Sequence, residues 1–349
     1  MWRVDIAGGG IAGLALGAGL LHRGVPVTVY EAGDYPRHRT CGEFINGLSP
    51  AALEALGLTE VLRDAPRRRF VSWTHGDAPA QHWELTHPAL AMSRGELDAR
   101  LADVFSRAGG ELVVRSSSAL EPGPGHVFAT GRRPDPASPW FGLKTHLENF
   151  PIEGDLEFHV GRGAYAGICR LEGGRANLCG LFHRHPRGAP GTANSLAGQL
   201  RAAGMNALAA RVDSATIVPG VTCAVAGLRF GLQPTIHGAP AVGDAFAFVP
   251  PFTGRGMASA FASAASAVAP LAAWSRGERT WDETVRVIHA RQMRLARRSL
   301  WRAALVHPFL LRPRAAHLAS LLLRSGTLPL RRLSDFLAPS PPAACFSTP

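Results

Sequence analysis

Apolar positions along the chain follow two periods. At the N-terminus Arg3-Val4-Asp5-Ile6-Ala7 reads as a strand, a glycine turn from Gly8 opens an apolar helical stretch, and Val27-Thr28-Val29-Tyr30-Glu31 reads as a second strand. Strand, tight turn, helix and strand in that order form half of a dinucleotide-binding βαβ unit. Ser49-Pro50 precedes an apolar-periodic run to Leu56, which predicts a capped helix with proline in its first turn. Ser93 to Gly109 predicts another helix, with Leu97, Leu101 and Phe105 on one face and a Gly-Gly stop. Glu111 to Arg115 reads as a strand and Ala119 to Gly125 as turn material.

From about 140 to 236 the period shortens. Asp155 to Val160, Tyr165 to Arg170 and Arg175 to Phe182 alternate between Gly/Arg turns, which predicts an antiparallel sheet inserted as a second domain. Ala239 to Val242 then reads as a strand returning to the first domain, followed by a small-residue helix from Gly256. Beyond Trp281 the pattern is helical and basic.

Composition narrows the class. With 349 residues, 46% hydrophobic and 18% charged, and a mean hydropathy of +0.04, the chain is expected to be a soluble globular protein of two or three domains, neither acidic and disordered nor a membrane bundle. Residues 256–275 carry no charge over 20 positions, but Ala, Ser and Pro270 dominate them, so a buried close-packed helix is expected there. Five scattered cysteines without CxxC spacing argue against a disulfide framework or zinc site, and with no signal-peptide pattern a cytoplasmic location is expected.

The net charge of +11 sits at one end. Residues 285–349 hold 11 arginines and one acid, Asp335, while the preceding residues nearly balance. Arg291, Arg294, Arg298 and Arg302 recur at helical spacing, and Leu318 to Leu323 is strongly apolar between Arg314 and Arg324. This extension reads either as a solvated helix covering the rest of the molecule or as peripheral contact with anionic membrane; without nucleic-acid motifs, no nucleic-acid partner is expected. Lys144 is the only lysine.

Candidate chemistry starts at Gly8-Gly9-Gly10-Ile11-Ala12-Gly13. Glycine is required where the backbone turns with positive φ, approaches a pyrophosphate or meets a helix closely, and the helix N-terminus then faces the phosphates. Glu31, followed by Ala32, ends the second strand where an acid accepts hydrogen bonds from a ribose. A second motif, Gly243-Asp244, precedes Pro250-Pro251-Phe252-Thr253-Gly254-Arg255-Gly256-Met257 at the start of the uncharged helix. A third is Ser93-Arg94-Gly95-Glu96-Leu97, and a fourth Ala129-Thr130-Gly131-Arg132.

Together and in this order, these motifs resemble the FAD-dependent oxidoreductases of the p-hydroxybenzoate hydroxylase fold, over most of the chain. The resemblance implies FAD as cofactor, with Asp244 on its ribityl or pyrophosphate part, backbone amides of Gly254, Arg255, Gly256 and Met257 near the flavin ring, Arg94 on phosphate or ribose, and Thr130-Gly131 along the cofactor. Arg39-Thr40-Cys41-Gly42-Glu43, ahead of Leu48-Ser49-Pro50, is similar to the geranylgeranyl reductase branch, where a Cys-Gly segment lies beside the isoalloxazine. Cys41 is then a flavin-face candidate, or a buried turn cysteine without chemistry. Thr130-Gly131 stands where hydroxylases carry Asp-Gly, so NAD(P)H as reductant is left open, and the halogenase Trp-x-Trp-x-Ile-Pro segment is absent.

The resulting expectation is an α/β (α+β overall) protein: a discontinuous Rossmann-like FAD-binding domain at 1–139 and 237–284, an antiparallel substrate domain at 140–236, and a basic helical extension at 285–349. The expected activity is monooxygenase-like oxidation of an apolar or aromatic small molecule in biosynthetic metabolism. Reduction or dehydrogenation of a carbon–carbon bond is the alternative, and a basic membrane- or nucleic-acid-binding module with a vestigial nucleotide fold is a reading of another class. Tyr165, Trp140 and Phe141 are candidates for either a substrate cavity or the core. No metal is expected, since His183-Arg184-His185 lacks an acid partner.

Overall fold

The computed structural model describes residues 1–116, 120–184 and 195–311, together with Ala315 and Leu318. His185, Arg314, residues 319–323, Arg324 and Asp335 lie outside the described residues.

The N-terminal period-two and period-3.6 runs form β1 (Val4–Ala7), α1 (Ile11–Leu21) and β2 (Val27–Tyr30). Next come β3 (Phe44–Ile45), α2 (Pro50–Ala55), β4 (Arg67–His75), β5 (Gln81–Ala91), α3 (Arg94–Arg107), β6 (Glu111–Val113) and β7 (His126–Phe128). The first sheet is parallel, in the order β6-β2-β1-β7. The return strand read at Ala239 to Val242 shrinks to one bridge, Phe128 with Ala241.

The second sheet contains β8 (Trp140–Glu148), β9 (Leu156–Gly161), β10 (Ala164–Arg170) and β11 (Ala176–His183), flanked by α4 (Leu196–Ala202), α5 (Asn206–Asp213), β12 (Thr216–Ile217) and β13 (Cys223–Ala226). Its order is β12-β8-β11-β10-β9-β4-β5-β3, with β13 also on β8. Thus β3, β4 and β5, which lie within the 1–139 span, complete the other sheet. The expected antiparallel pattern holds from β8 to β11, but β4 joins β9 in parallel because it arrives from the first half of the chain and not through a hairpin.

Two helices close the molecule: α6 (Gly256–Ser275) and α7 (Trp281–Leu311). The uncharged α6 is a core helix packed on α1, with Phe261, Ala264 and Leu271 fully buried beside Leu14 and Leu16. In the second sheet the two-residue period sorts the side chains. Ala164, Ala166 and Ile168 face α4 and α5 with Leu200 and Leu208, while Tyr165 faces an aromatic cluster on the opposite side.

Candidate active site: a cleft between the two sheets

Four distant segments converge at the C-terminal end of β1. Gly8 has φ +107, and a side chain there would run into the Ala129 carbonyl; at Gly13 it would meet the Gly8 carbonyl. Gly10, the N-cap of α1, is extended with no side-chain cap, and a Cβ built on it meets nothing within 4 Å. The first amides of α1 therefore open on a cleft of about 530 Å³.

Of the residues predicted to hold a cofactor, Gly8, Gly10, Ile11, Ala12, Glu31, Ala32, Arg39, Cys41, Gly42, Arg94, Thr130, Gly131, Asp244, Gly254, Gly256 and Met257 line this cleft. Gly13, Gly243 and Arg255 stand behind the wall. Gly13 admits the Gly8 backbone, Gly243 packs against Ala12, and Arg255 is buried with its pKa lowered by burial to about 10. Thr40 and Pro251, inside two of the motifs, also line it, as do Arg37, Phe44 and Phe248, which no motif covers. The only signal for Arg37 is its place two residues before Arg39.

The charges are organised by buried acids. Glu31 accepts hydrogen bonds from the Gly9 and Gly33 amides at 2.9 Å each and from Arg37 at 2.5 Å, with Arg39 at 3.4 Å. Tyr35 donates its hydroxyl to the Gly9 carbonyl at 2.5 Å, tying the segment after β2 to the glycine turn. Asp98, one turn along α3 and fully buried, holds Arg94 through bonds of 2.8 to 3.1 Å and lies 3.4 Å from Arg39. Asp244 faces the cleft with its carboxyl pushed up to about 6 by burial, against the opposing pull of Arg94, Arg132 and Arg39. Burial likewise raises the Cys41 thiol, so it stands in the cleft wall as a neutral group.

Behind Cys41 and Gly42 lies a cluster that sequence reading missed. Glu43 has a φ of 57 and, like Lys144 and His146 on β8, is wholly buried. Its carboxylate accepts from Lys144 Nζ at 2.6 Å and from the Arg94 amide at 2.8 Å, and pairs with His146 Nε2 at 2.6 Å. Those partners hold the Glu43 pKa down although burial opposes them. The isolation of Lys144 as the sole lysine was the available signal. His38, Glu43 and His146 bring ligand-type atoms within 4.8 Å of one another, but the Lys144 ammonium already neutralises the acid and would repel a second cation. His183 packs edge-on against Trp140 at 4.7 Å.

On the cleft side of the second sheet, Trp140, Tyr165, Phe230, Phe248 and Phe252 form an aromatic cluster. Trp140 and Tyr165 belong to it, whereas Phe141, the neighbour of Trp140, points to the opposite face and stacks on Phe182.

A parallel Rossmann-type sheet, a second mixed sheet over its cleft and a helical C-terminal region constitute the p-hydroxybenzoate hydroxylase-type fold. Among solved structures, the chain is similar to a triple mutant of the flavin-dependent brominase Bmp2 (TM-score 0.74, 16% identity, 99% of this chain and 95% of that one). It is also similar to PqsL from Pseudomonas aeruginosa, described as a probable FAD-dependent monooxygenase (TM-score 0.65, 18% identity, 90% and 97%). The third is CtdE in complex with FAD and a substrate (TM-score 0.69, 14% identity, 89% and 90%). No family model and no curated protein matches the sequence. At these identities the likeness establishes the fold.

Proposed function

We propose that this chain is an FAD-dependent oxidoreductase that oxygenates an apolar or aromatic small molecule in biosynthetic metabolism. The observation carrying the proposal is the joint cleft: segments 8–12, 31–42, 94, 130–131 and 244–257, far apart in sequence, meet on one cavity. Its chemistry fits FAD. Open amides at the start of α1 and the Arg37, Arg39 and Arg94 guanidinium groups suit a diphosphate. Glu31 suits a ribose, its long contact to Arg39 being the one a hydroxyl would displace. Asp244 suits a ribityl hydroxyl, and the turn at Gly254, whose φ is +64, would let the first backbone amides of α6 hold the ring. When bound, FAD supplies two-electron redox chemistry, while the chain positions the ring and excludes water. Cys41 and Gly42 would flank the ring, and Phe44, Phe248, Val249 and Pro251 on the cleft wall would offer apolar contact to a substrate beside it.

The test is product analysis. Protein loaded with FAD, given a chemical reductant, isotopically labelled dioxygen and a panel of apolar aromatic probes headed by para-cresol and indole, is expected to place one labelled oxygen in a product of the probe and the other in water. A product gaining two hydrogens, without label, overturns oxygenation in favour of carbon–carbon reduction.

We further propose that α7 attaches the enzyme to anionic membrane, where an apolar substrate would partition. Its exposed side carries Arg294, Arg297 and Arg298, then Trp301 and Leu305. Arg291 and Arg302, expected on the same stripe, are half-buried. Replacing Arg294, Arg297 and Arg298 with glutamate is expected to abolish sedimentation with vesicles containing phosphatidylserine. Unchanged sedimentation would remove the membrane role.

A further inference from the structure

A second cavity, of about 240 Å³, adjoins the turn that carries Asp244. Within that turn, Gly243–Ala245, Asp244 lines the cofactor cleft, whereas Ala245 and the following Phe246 line the second cavity. The two spaces share no lining residue. The other walls come from the loop before the turn and from the start of α7. Ile236, Ala239, Pro240, Val285 and Ile288 make them apolar, and Ala239 and Ile288 are buried. Gln233, also on the wall, is committed to the frame: its side chain donates to the Arg229 and Gly231 carbonyls and accepts from the Arg133 amide. Trp281 Nε1 donates to the Gly238 carbonyl at 2.8 Å and ties the loop to α7. The cavity is therefore preformed.

Its polar groups favour one sign of charge. Arg286 and His289 stand three residues apart on α7, a spacing that puts them on one helix face, and both line the cavity. No acid lines it among the described residues. Among those residues Arg286 also forms no ion pair or hydrogen bond. Glu283, one turn earlier, feels Arg286 only through space, because its carboxylate turns back to accept from the Thr280 amide at 3.1 Å and hydroxyl at 2.9 Å. His289 packs against Phe246 at 5.4 Å and 75°, and an imidazole presents at least one N–H in either charge state. An apolar cavity with a few convergent polar groups has the character of a ligand site.

We propose that this cavity binds a small apolar monocarboxylate, at a site separate from the cofactor cleft. The hydrocarbon part lies against Ile236, Val285 and Ile288, and the carboxylate takes a charge-assisted bond from Arg286 and a second bond from His289. The volume lies below the roughly 300–1,000 Å³ of drug-sized sites, which favours a short acid over a long-chain or polycyclic one. The proposal goes beyond the oxidoreductase reading and does not depend on it.

The experiment titrates the full chain, with FAD added, with 4-methylpentanoate and with its uncharged isostere 4-methylpentanamide, and reads binding by ligand-observed NMR. The parent is expected to bind the acid about tenfold more tightly than the amide. Arg286→Gln, at an exposed position, is expected to weaken the acid about tenfold, or about 1.4 kcal/mol, and to leave the amide unchanged. Ile236→Trp, which fills the cavity, is expected to abolish binding of both, and Arg286→Gln carries the test if that variant does not fold. Absence of acid binding by the parent at millimolar concentration overturns the proposal, as does equal acid affinity in the parent and Arg286→Gln. Acid binding retained by folded Ile236→Trp also overturns it, since the ligand then sits elsewhere. Failure of the parent to take up FAD overturns only the cofactor reading, and the same titration is then read on the FAD-free chain.

Discussion

Neighbouring glycines in one motif serve different ends. Gly13 has no room for a methyl group because the Gly8 carbonyl occupies the space, whereas a methyl group at Gly10 would project freely into the cleft. Gly13→Ala is therefore expected to lower the thermal midpoint of the FAD-free protein. Gly10→Ala should leave that midpoint unchanged and weaken FAD binding at least tenfold, as read by flavin fluorescence. Asp244 carries a pH signature. A carboxyl whose folded pKa rises to about 6, from roughly 4 in the unfolded chain, adds stability below about pH 4 and loses it as the pH rises through 6. The FAD-free protein should therefore lose stability across that window relative to Asp244→Asn, in thermal melts at matched ionic strength. Lys144→Met would leave the Glu43 carboxylate buried without its cation, and is expected to cost about 3–5 kcal/mol in urea unfolding.

At the scale of elements, α7 is bound into the core and is no loose appendage. Pro270 interrupts α6 and removes the amide that would bond to the Ser266 carbonyl; Arg291 on α7 donates to that carbonyl instead, at 3.1 Å. One residue on, buried Gln292 accepts from the Ser263 hydroxyl at 2.7 Å, and the same hydroxyl accepts from the Gly243 amide at 2.7 Å. The extension thereby reaches the loop that carries Asp244. Arg291→Ala should cost about 1–3 kcal/mol, the penalty of an orphaned buried acceptor, measured by chemical denaturation. The regular periods of α1, α3 and α6 were legible because each buries one face or nearly all of itself in a single core. The partnership of Arg291 with a carbonyl freed 25 residues earlier was not, because spacing in sequence says nothing of which helices lie side by side.

Across the whole molecule, the charge asymmetry and the architecture separate. The arginine surplus follows residue 284, yet Ile288 is fully buried in the main core and Ala303 almost fully, so a chain ending at 284 should aggregate or lose bound FAD when purified. Likewise the boundary placed at 139 does not coincide with a unit of structure, since β4 and β5 belong to the sheet that roofs the cleft. Their weak period, with Phe70 exposed and a register shift between Arg68 and Phe70, concealed them from pattern reading.

The sequence by itself determined the glycine turn, the acid at the end of β2, the Gly243-Asp244 and Gly254 to Met257 motifs and the small-residue helix, because each is a local backbone requirement written in residue type. Only the tertiary structure decided that Glu43 is held between Lys144 and His146, that Asp98 reaches Arg39, and that His307 enters the aromatic cluster. Those pairings join residues far apart in the chain and depend on burial, which a linear pattern does not encode.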